Sequence, residues 1–289
     1  MMDNAIEVKG LRKNYKGFSL RNVSFVLPQG TIMGLVGPNG AGKTTIIKLI
    51  LNLVRKSGGE IRVFGLDHLH NEAEIKSRIG FVHESPAYIE DATLNDLKAA
   101  IAPFYGKWNE SLFRSLLAEF ELPADKKFKK LSHGMKMKFQ IALALSHDAD
   151  LLIMDEPTSG LDPVFRRELL ERLSALMQDE RKSVLFSTHI TSDLERTADY
   201  ITFVHEGEIV LSKSRDEIKE TWAVVKGPVE QLTGERRILL KGIRTTAFGF
   251  EGLTDDIPAA RRAFGSAAVI DRASIEDIMI FMDRGNNHA

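Results

Sequence analysis

Residues 37–45 read GPNGAGKTT, between an apolar run at 31–36 and a second that starts at Thr44, and this segment constrains the fold more than any other part of the chain. Its spacing is GxxxxGK[ST]. Glycines let backbone N–H groups turn inward, and a helix starting directly afterwards aims its positive end at the same point, so the loop suits a polyphosphate. A strand must enter it and a helix must leave it, which predicts an α/β protein built on a parallel sheet. The candidate phosphate-binding residues are Gly37, Asn39, Gly40, Ala41, Gly42, Lys43, Thr44 and Thr45. Lys43 would contact the β and γ phosphates of a nucleotide. Thr44 would offer its hydroxyl to Mg²⁺, a hard cation that prefers oxygen ligands and keeps several waters.

Further strands converge on this loop. LLIMD ends in the adjacent carboxylates Asp155 and Glu156. On an extended chain these face opposite ways, so Asp155 would hold the metal while Glu156 orients or deprotonates an attacking water. An acidic turn before Pro157 is the plainer alternative. His189 follows a third strand, SVLFS, at the strand end where open parallel sheets bind ligands. A histidine there can bond the γ-phosphate and report its loss, although a lone histidine is more often structural.

Residues 5–9 and 19–27 read as short strands, 44–54 as a largely buried helix ended by Ser57, Gly58 and Gly59, and 93–102 with 110–120 as the helices of a small subdomain. From Leu151 strands and helices alternate again. Beyond about residue 215 the runs AVVKG, RILLKGI and TAFGFEGL look strand-like and ASIEDIMIFMDR helical, giving a small α+β extension. The expected organisation is a nucleotide-binding domain at 1–213, with a helical subdomain at about 85–140, and an extension at 214–289.

Composition removes several other classes. The 289 residues include 39 Lys+Arg against 40 Asp+Glu, a net charge of −1 that argues against a dedicated nucleic-acid binder. There are no cysteines, which excludes disulfides, thiolate catalysis and Cys-bound metal. MMDNAIEVKG lacks the basic-then-apolar pattern of a signal peptide. The most apolar stretch, 46–54, is broken by Lys48 and Asn52 and falls short of the ~18 residues a membrane span needs. The basic run KKFKK at 126–130 reads as a solvated face, and DHLH at 67–70 as a surface loop without further metal ligands.

LSHGM precedes another helical run, and Ser132 is suited to cap it; alone, this is an ordinary capped helix. Taken in order, GPNGAGKTT, LSHGM, LLIMDEP, SGLD and STH resemble the nucleotide-binding subunit of ATP-binding cassette (ABC) transporters over residues 5–213. The resemblance implies a P-loop ATPase core with an antiparallel β subdomain and a helical subdomain, binding ATP and Mg²⁺. It places Tyr15 against adenine. Glu84 falls where the family usually has glutamine, at the hinge to the helical subdomain, and keeps an oxygen for Mg²⁺ or water. Ser132 and Gly134 match positions that contact the γ-phosphate of the opposite subunit, and Asp162 the loop that crosses the dimer interface. His133 and Met135 depart from the family's LSGGQ.

A single cassette without a membrane span implies two partners: a separate transmembrane permease, and a second nucleotide-binding subunit, either another copy or a paralogue. The setting implied is the cytoplasmic face of the membrane, with no nucleic acid. The C-terminal helix after a small extension resembles ATPase subunits of exporters. The alternative is a soluble ABC-type mechanical ATPase acting on DNA or ribosomes, whose relatives carry inserted coiled coils or two cassettes; neither feature is present. A protein that binds ATP without hydrolysing it fits poorly with Lys43, Asp155, Glu156 and His189 together. Because Lys43 is the loop's only positive charge, Lys43→Ala is expected to weaken ATP binding in a direct titration; wild-type affinity would count against its assignment.

Overall fold

The computed structural model describes residues 3–285, so the extreme ends of both expected segments lie outside the described residues. The chain divides into two compact units, Met1–Leu211 and Ser212–Ala289.

The first unit opens with β1 (Asn4–Tyr15) and β2 (Phe18–Pro28), both longer than the strands expected there, and β3 (Ile32–Val36) leads into the phosphate loop. Next come α1 (Lys43–Ile50), β4 (Gly58–Val63), β5 (Leu66–Asp67), α2 (Glu72–Ser77) and β6 (Ile79–Val82). The helical region holds α3 (Leu94–Ile101), α4 (Glu110–Glu119) and α5 (His133–Leu145). Then follow β7 (Leu151–Asp155), α6 (Pro163–Leu176), β8 (Ser183–Thr188), α7 (Thr191–Thr197), β9 (Tyr200–His205) and β10 (Glu208–Ser214), the last crossing the division between the units.

Two sheets result. One is four-stranded, in the order β2-β1-β4-β5, with antiparallel pairing throughout. The other is six-stranded, β10-β9-β3-β8-β7-β6, and its β9-β3-β8-β7-β6 portion is parallel. Every residue of β3, β7 and β8 is buried, which is why each carries an apolar run, at 32–36, 151–154 and 184–186: both faces of a parallel sheet are covered. Ile46, Ile47, Leu49 and Ile50 of α1 join Leu35, Ile153 and Leu185 in one core. Helix α1 ends four residues before the expected position, because Asn52 takes a left-handed φ of 51° and turns Leu53 outward. Gly58 does not merely end that helix; it opens β4, opposite Arg12 of β1.

The helical region is organised by aromatic contacts. Phe139 of α5 is fully buried and meets Tyr88, Phe113 and Phe128, with ring centroids 6.0, 6.3 and 6.3 Å away. Both expected helices form. Thr93 caps α3 in a capping box with Asp96, and Asn109 caps α4 through the N–H of Leu112.

The second unit contains α8 (Arg215–Thr221), β11 (Ala223–Gly227), α9 (Gly234–Ile238), β12 (Gly242–Thr246), β13 (Gly249–Thr254), α10 (Ile257–Phe264), β14 (Val269–Arg272) and α11 (Ile275–Gly285). Its sheet is antiparallel, β12-β13-β11-β14. RILLKGI departs from the expected strand. Its first residues lie in α9 and only Gly242 onward pairs with β13, because Leu240 turns inward over Gly252 to join Val225, Phe250 and Phe264 in this unit's core. Helix α10 and strand β14 go unread in the sequence, although Ala260 and Phe264 of α10 share a buried face at helical spacing. Among the described residues, no helix is long and apolar enough to cross a membrane.

Candidate active site

The parallel register brings the expected elements to one edge. Val36 lies opposite Thr188, and Asp155 opposite Ser187, so the phosphate loop after β3, the carboxylates after β7 and His189 after β8 leave the sheet side by side. Glu84 follows β6, next in the order. These ends border a cleft of about 800 Å³ lined by residues 39–45, Glu84, Glu156 and His189, and also by Gly17, Phe18 and Ser159.

Gly37 lies at the base of the loop. Its φ is 156° and a Cβ there would sit 2.0 Å from the Val204 carbonyl oxygen of β9, so no larger residue fits. The Lys43 side chain is 7% exposed; its Nζ donates to the carbonyls of Gly37 (2.7 Å) and Pro38 (3.2 Å) and lies 3.5 Å from Glu156 Oε1. Asp155 is buried. Its Oδ1 accepts from Thr44 Oγ1 (3.1 Å) and from Ser187 Oγ (2.6 Å), while Oδ2 is buried without a hydrogen-bond partner in the protein.

Glu156 corrects one expectation. The two adjacent carboxylates were expected to diverge as on an extended chain, but β7 ends at Asp155 and Glu156 takes φ 50°, which breaks the alternation. Both carboxylates therefore turn toward the phosphate loop, Asp155 to Thr44 and Glu156 to Lys43. The Glu156 N–H donates to Ser187 Oγ at 2.9 Å, which anchors the left-handed residue. Its Oε2 accepts from His189 Nδ1 at 2.8 Å, on a half-exposed imidazole. With Nδ1–H so engaged, Nε2 is the ring's remaining polar atom.

Glu84 is exposed at the cleft. The segment before it is gripped by Gln140 of α5, a buried side chain whose Oε1 accepts from His83 N–H and whose Nε2 donates to the His83 carbonyl, each at 2.9 Å. Burial also lowers the pKa of the His83 imidazole. Tyr15 closes β1 half-exposed, beneath Lys13, in an adjoining hollow that includes Gly40.

Ser132, Gly134 and Asp162 are not among the residues lining the cleft. Ser132 caps α5 through the N–H of Met135 at 3.2 Å. Asp162 caps α6: the N–H groups of Phe165 and Val164 donate to its Oδ1, and the Phe165 bond is the main cause of its lowered pKa. Between Asp162 and the carboxylates, Thr158 donates to buried Asp193, which also accepts from Arg166.

Sequence reasoning missed Ser187 and Gln140. The signal available for Ser187 is a hydroxyl residue directly after the apolar run at 184–186; Gln140 stands out as the one amide inside KMKFQIALALS. Nothing local links either to its partner.

A sequence model of the ABC transporter family matches residues 20–159. The chain is 34% identical over 213 residues to the bacitracin transport ATP-binding protein BcrA of Enterococcus faecalis, covering 73% of this chain and 69% of that protein. It is 36% identical over 214 residues to the lantibiotic transport ATP-binding protein SrtF of Streptococcus pyogenes, covering 73% and 91%. A solved ATP-binding subunit of an ABC transporter superposes with a TM-score of 0.66 at 31% identity, over 75% of this chain and 92% of the other. These relatives carry the transport reading rather than one of action on DNA or ribosomes. The chain belongs to the ABC transporter family, as an ATP-binding, ATP-hydrolysing subunit that powers transport.

Proposed function

We propose that this subunit drives an exporter from the cytoplasmic face of the membrane, bound to a separate permease, and that two cassettes, copies or paralogues, close head to tail over ATP. Residues 1–213 carry the ATPase and 214–289 form an appended module. Export is the direction taken from relatives that serve bacitracin and lantibiotic transport. The observation that carries the two-cassette reading is the separation within one chain: Lys43, Glu156 and His189 line the cleft, and Ser132 and Gly134 do not. The second set of γ-phosphate contacts then comes from the other cassette.

Within the cleft, Lys43 releases the Gly37 and Pro38 carbonyls to bind the β and γ phosphates, with residues 37–45 supplying backbone N–H groups. Tyr15 stacks on the adenine. The donor set fits magnesium: Thr44 supplies a hydroxyl, Asp155 a buried carboxylate oxygen without a protein partner, and Glu84 an oxygen at the rim. Among the described residues no group of three His, Cys, Asp or Glu could hold a metal, as suits an ion that takes its other ligands from phosphate and water. Bound there, magnesium supplies charge neutralisation for phosphoryl transfer.

Glu156 accepts a proton from the attacking water. His189 orients that carboxylate through Nδ1, and an imidazolium also donates to the γ-phosphate from Nε2. Ser187 holds both carboxylates in register. Asp162 lies in the loop that crosses between cassettes.

Glu156→Gln is expected to retain ATP binding, lower turnover by about 10²-fold or more, and trap an ATP-bound dimer detectable by scattering; unchanged turnover would refute the role of Glu156. Ser187→Ala removes one partner from Asp155 and the acceptor of the Glu156 N–H, so phosphate release should slow by about 10- to 100-fold while ATP still binds. Undiminished phosphate release would show that Ser187 does not position the carboxylates. Purified from solubilised membranes, the chain should bring an integral membrane protein with it. Recovery of ribosomes or DNA instead would reinstate the mechanical-ATPase alternative.

A further inference from the structure

The turn that follows Glu156 reaches both halves of this machinery. Ser159 lines the cleft, and its N–H donates to the Glu156 carbonyl at 3.1 Å. Its own carbonyl lies 3.3 Å from Nε2 of His133, the first residue of α5 and the neighbour of Ser132. The same imidazole covers Gly160, where φ is +69° and a Cβ would sit 2.6 Å from His133 Cδ2. A glycine at position 133, as in the family's LSGGQ, could make neither contact.

We propose that His133 is a positioning residue: by donating from Nε2 to the Ser159 carbonyl, it links each chain's own Glu156 to the Ser132 that the same chain presents to the other cassette. The inference rests on the two-cassette reading above.

Two hydrogen bonds and one residue, Ser159, separate Glu156 from the start of α5. Within the turn, Thr158 donates to buried Asp193, so the contact to His133 is the one this turn makes with α5 through Ser159. Movement at Ser159 therefore passes to α5 through His133. The donor persists in either charge state of the ring, because both the Nε2–H tautomer and the imidazolium carry that proton. Each chain thereby signals the state of its own cleft to the nucleotide it helps to clamp in the other.

The test compares full-length chains in the Glu156→Gln background, reading the ATP concentration for half-maximal dimerisation and the affinity for ADP, which reports each chain's own cleft. Adding His133→Ala should raise the dimerisation midpoint by about two- to tenfold, the range for loss of one hydrogen bond, and leave ADP affinity unchanged. His133→Gln, whose amide nitrogen reaches the same position as Nε2, should restore the midpoint. An unchanged midpoint in His133→Ala overturns the proposal. So does failure of His133→Gln to restore it, and so does a parallel loss of ADP affinity, which would mean that the substitution deforms the cleft itself. Absence of any ATP-driven dimer with His133 intact would instead remove the two-cassette reading, and this inference with it.

Discussion

A single carboxylate oxygen, Asp155 Oδ1, joins three elements of the site. It belongs to the end of β7, accepts a hydrogen bond from Thr44 in the first turn of α1, and accepts another from Ser187 near the end of β8. Because the side chain is buried, these bonds form with little competition from water and are costly to lose. The parallel register makes the arrangement possible, since strands running the same way release their loops at a common edge. Ser187 then serves twice, donating to Asp155 and accepting from the Glu156 N–H, so the left-handed turn at Glu156 is held by the atom that orients its neighbour.

Helix α5 extends this order away from the cleft. Its first turn carries Ser132, His133 and Gly134, and its middle carries Gln140, whose amide grips both backbone groups of His83 just before Glu84. Both belong to one helix of 13 residues, which Phe139 anchors among aromatic rings. Ser132 and the segment leading to Glu84 are therefore joined through one helix, with Ser159 attached to it through His133.

Much of this plan was legible in the chain. The phosphate loop, the buried strands β7 and β8, the capped helices α3 to α5 and the amphipathic α6 all carry local signals: a fixed glycine spacing, short apolar runs, capping residues and a helical period. The misreadings all fall where an element ends. At Asn52 and Glu156 a left-handed residue ends an element that its periodicity would have continued, and at Leu240 a side chain abandons a strand for a core contact. The Asn52 stop is local, a cap in which the N–H groups of Asn52 and Leu53 donate to the Leu49 and Lys48 carbonyls, and asparagine tolerates the left-handed conformation it needs. The turns at Glu156 and Leu240 are instead selected by Ser187 and by the core around Phe250, which residue type does not announce.

What the sequence determined by itself is whatever depends on neighbouring residues: a polyphosphate loop of nine consecutive residues at a strand-to-helix junction, and the family that the order of its motifs implies. Only the tertiary structure decided that Ser187 shares Asp155 with Thr44, that Gln140 clamps His83, and that His133 reaches Ser159. Those partners stand between 26 and 111 positions apart, and hydrogen bonds of this kind exist only once the sheet register and helix packing have brought both groups within reach.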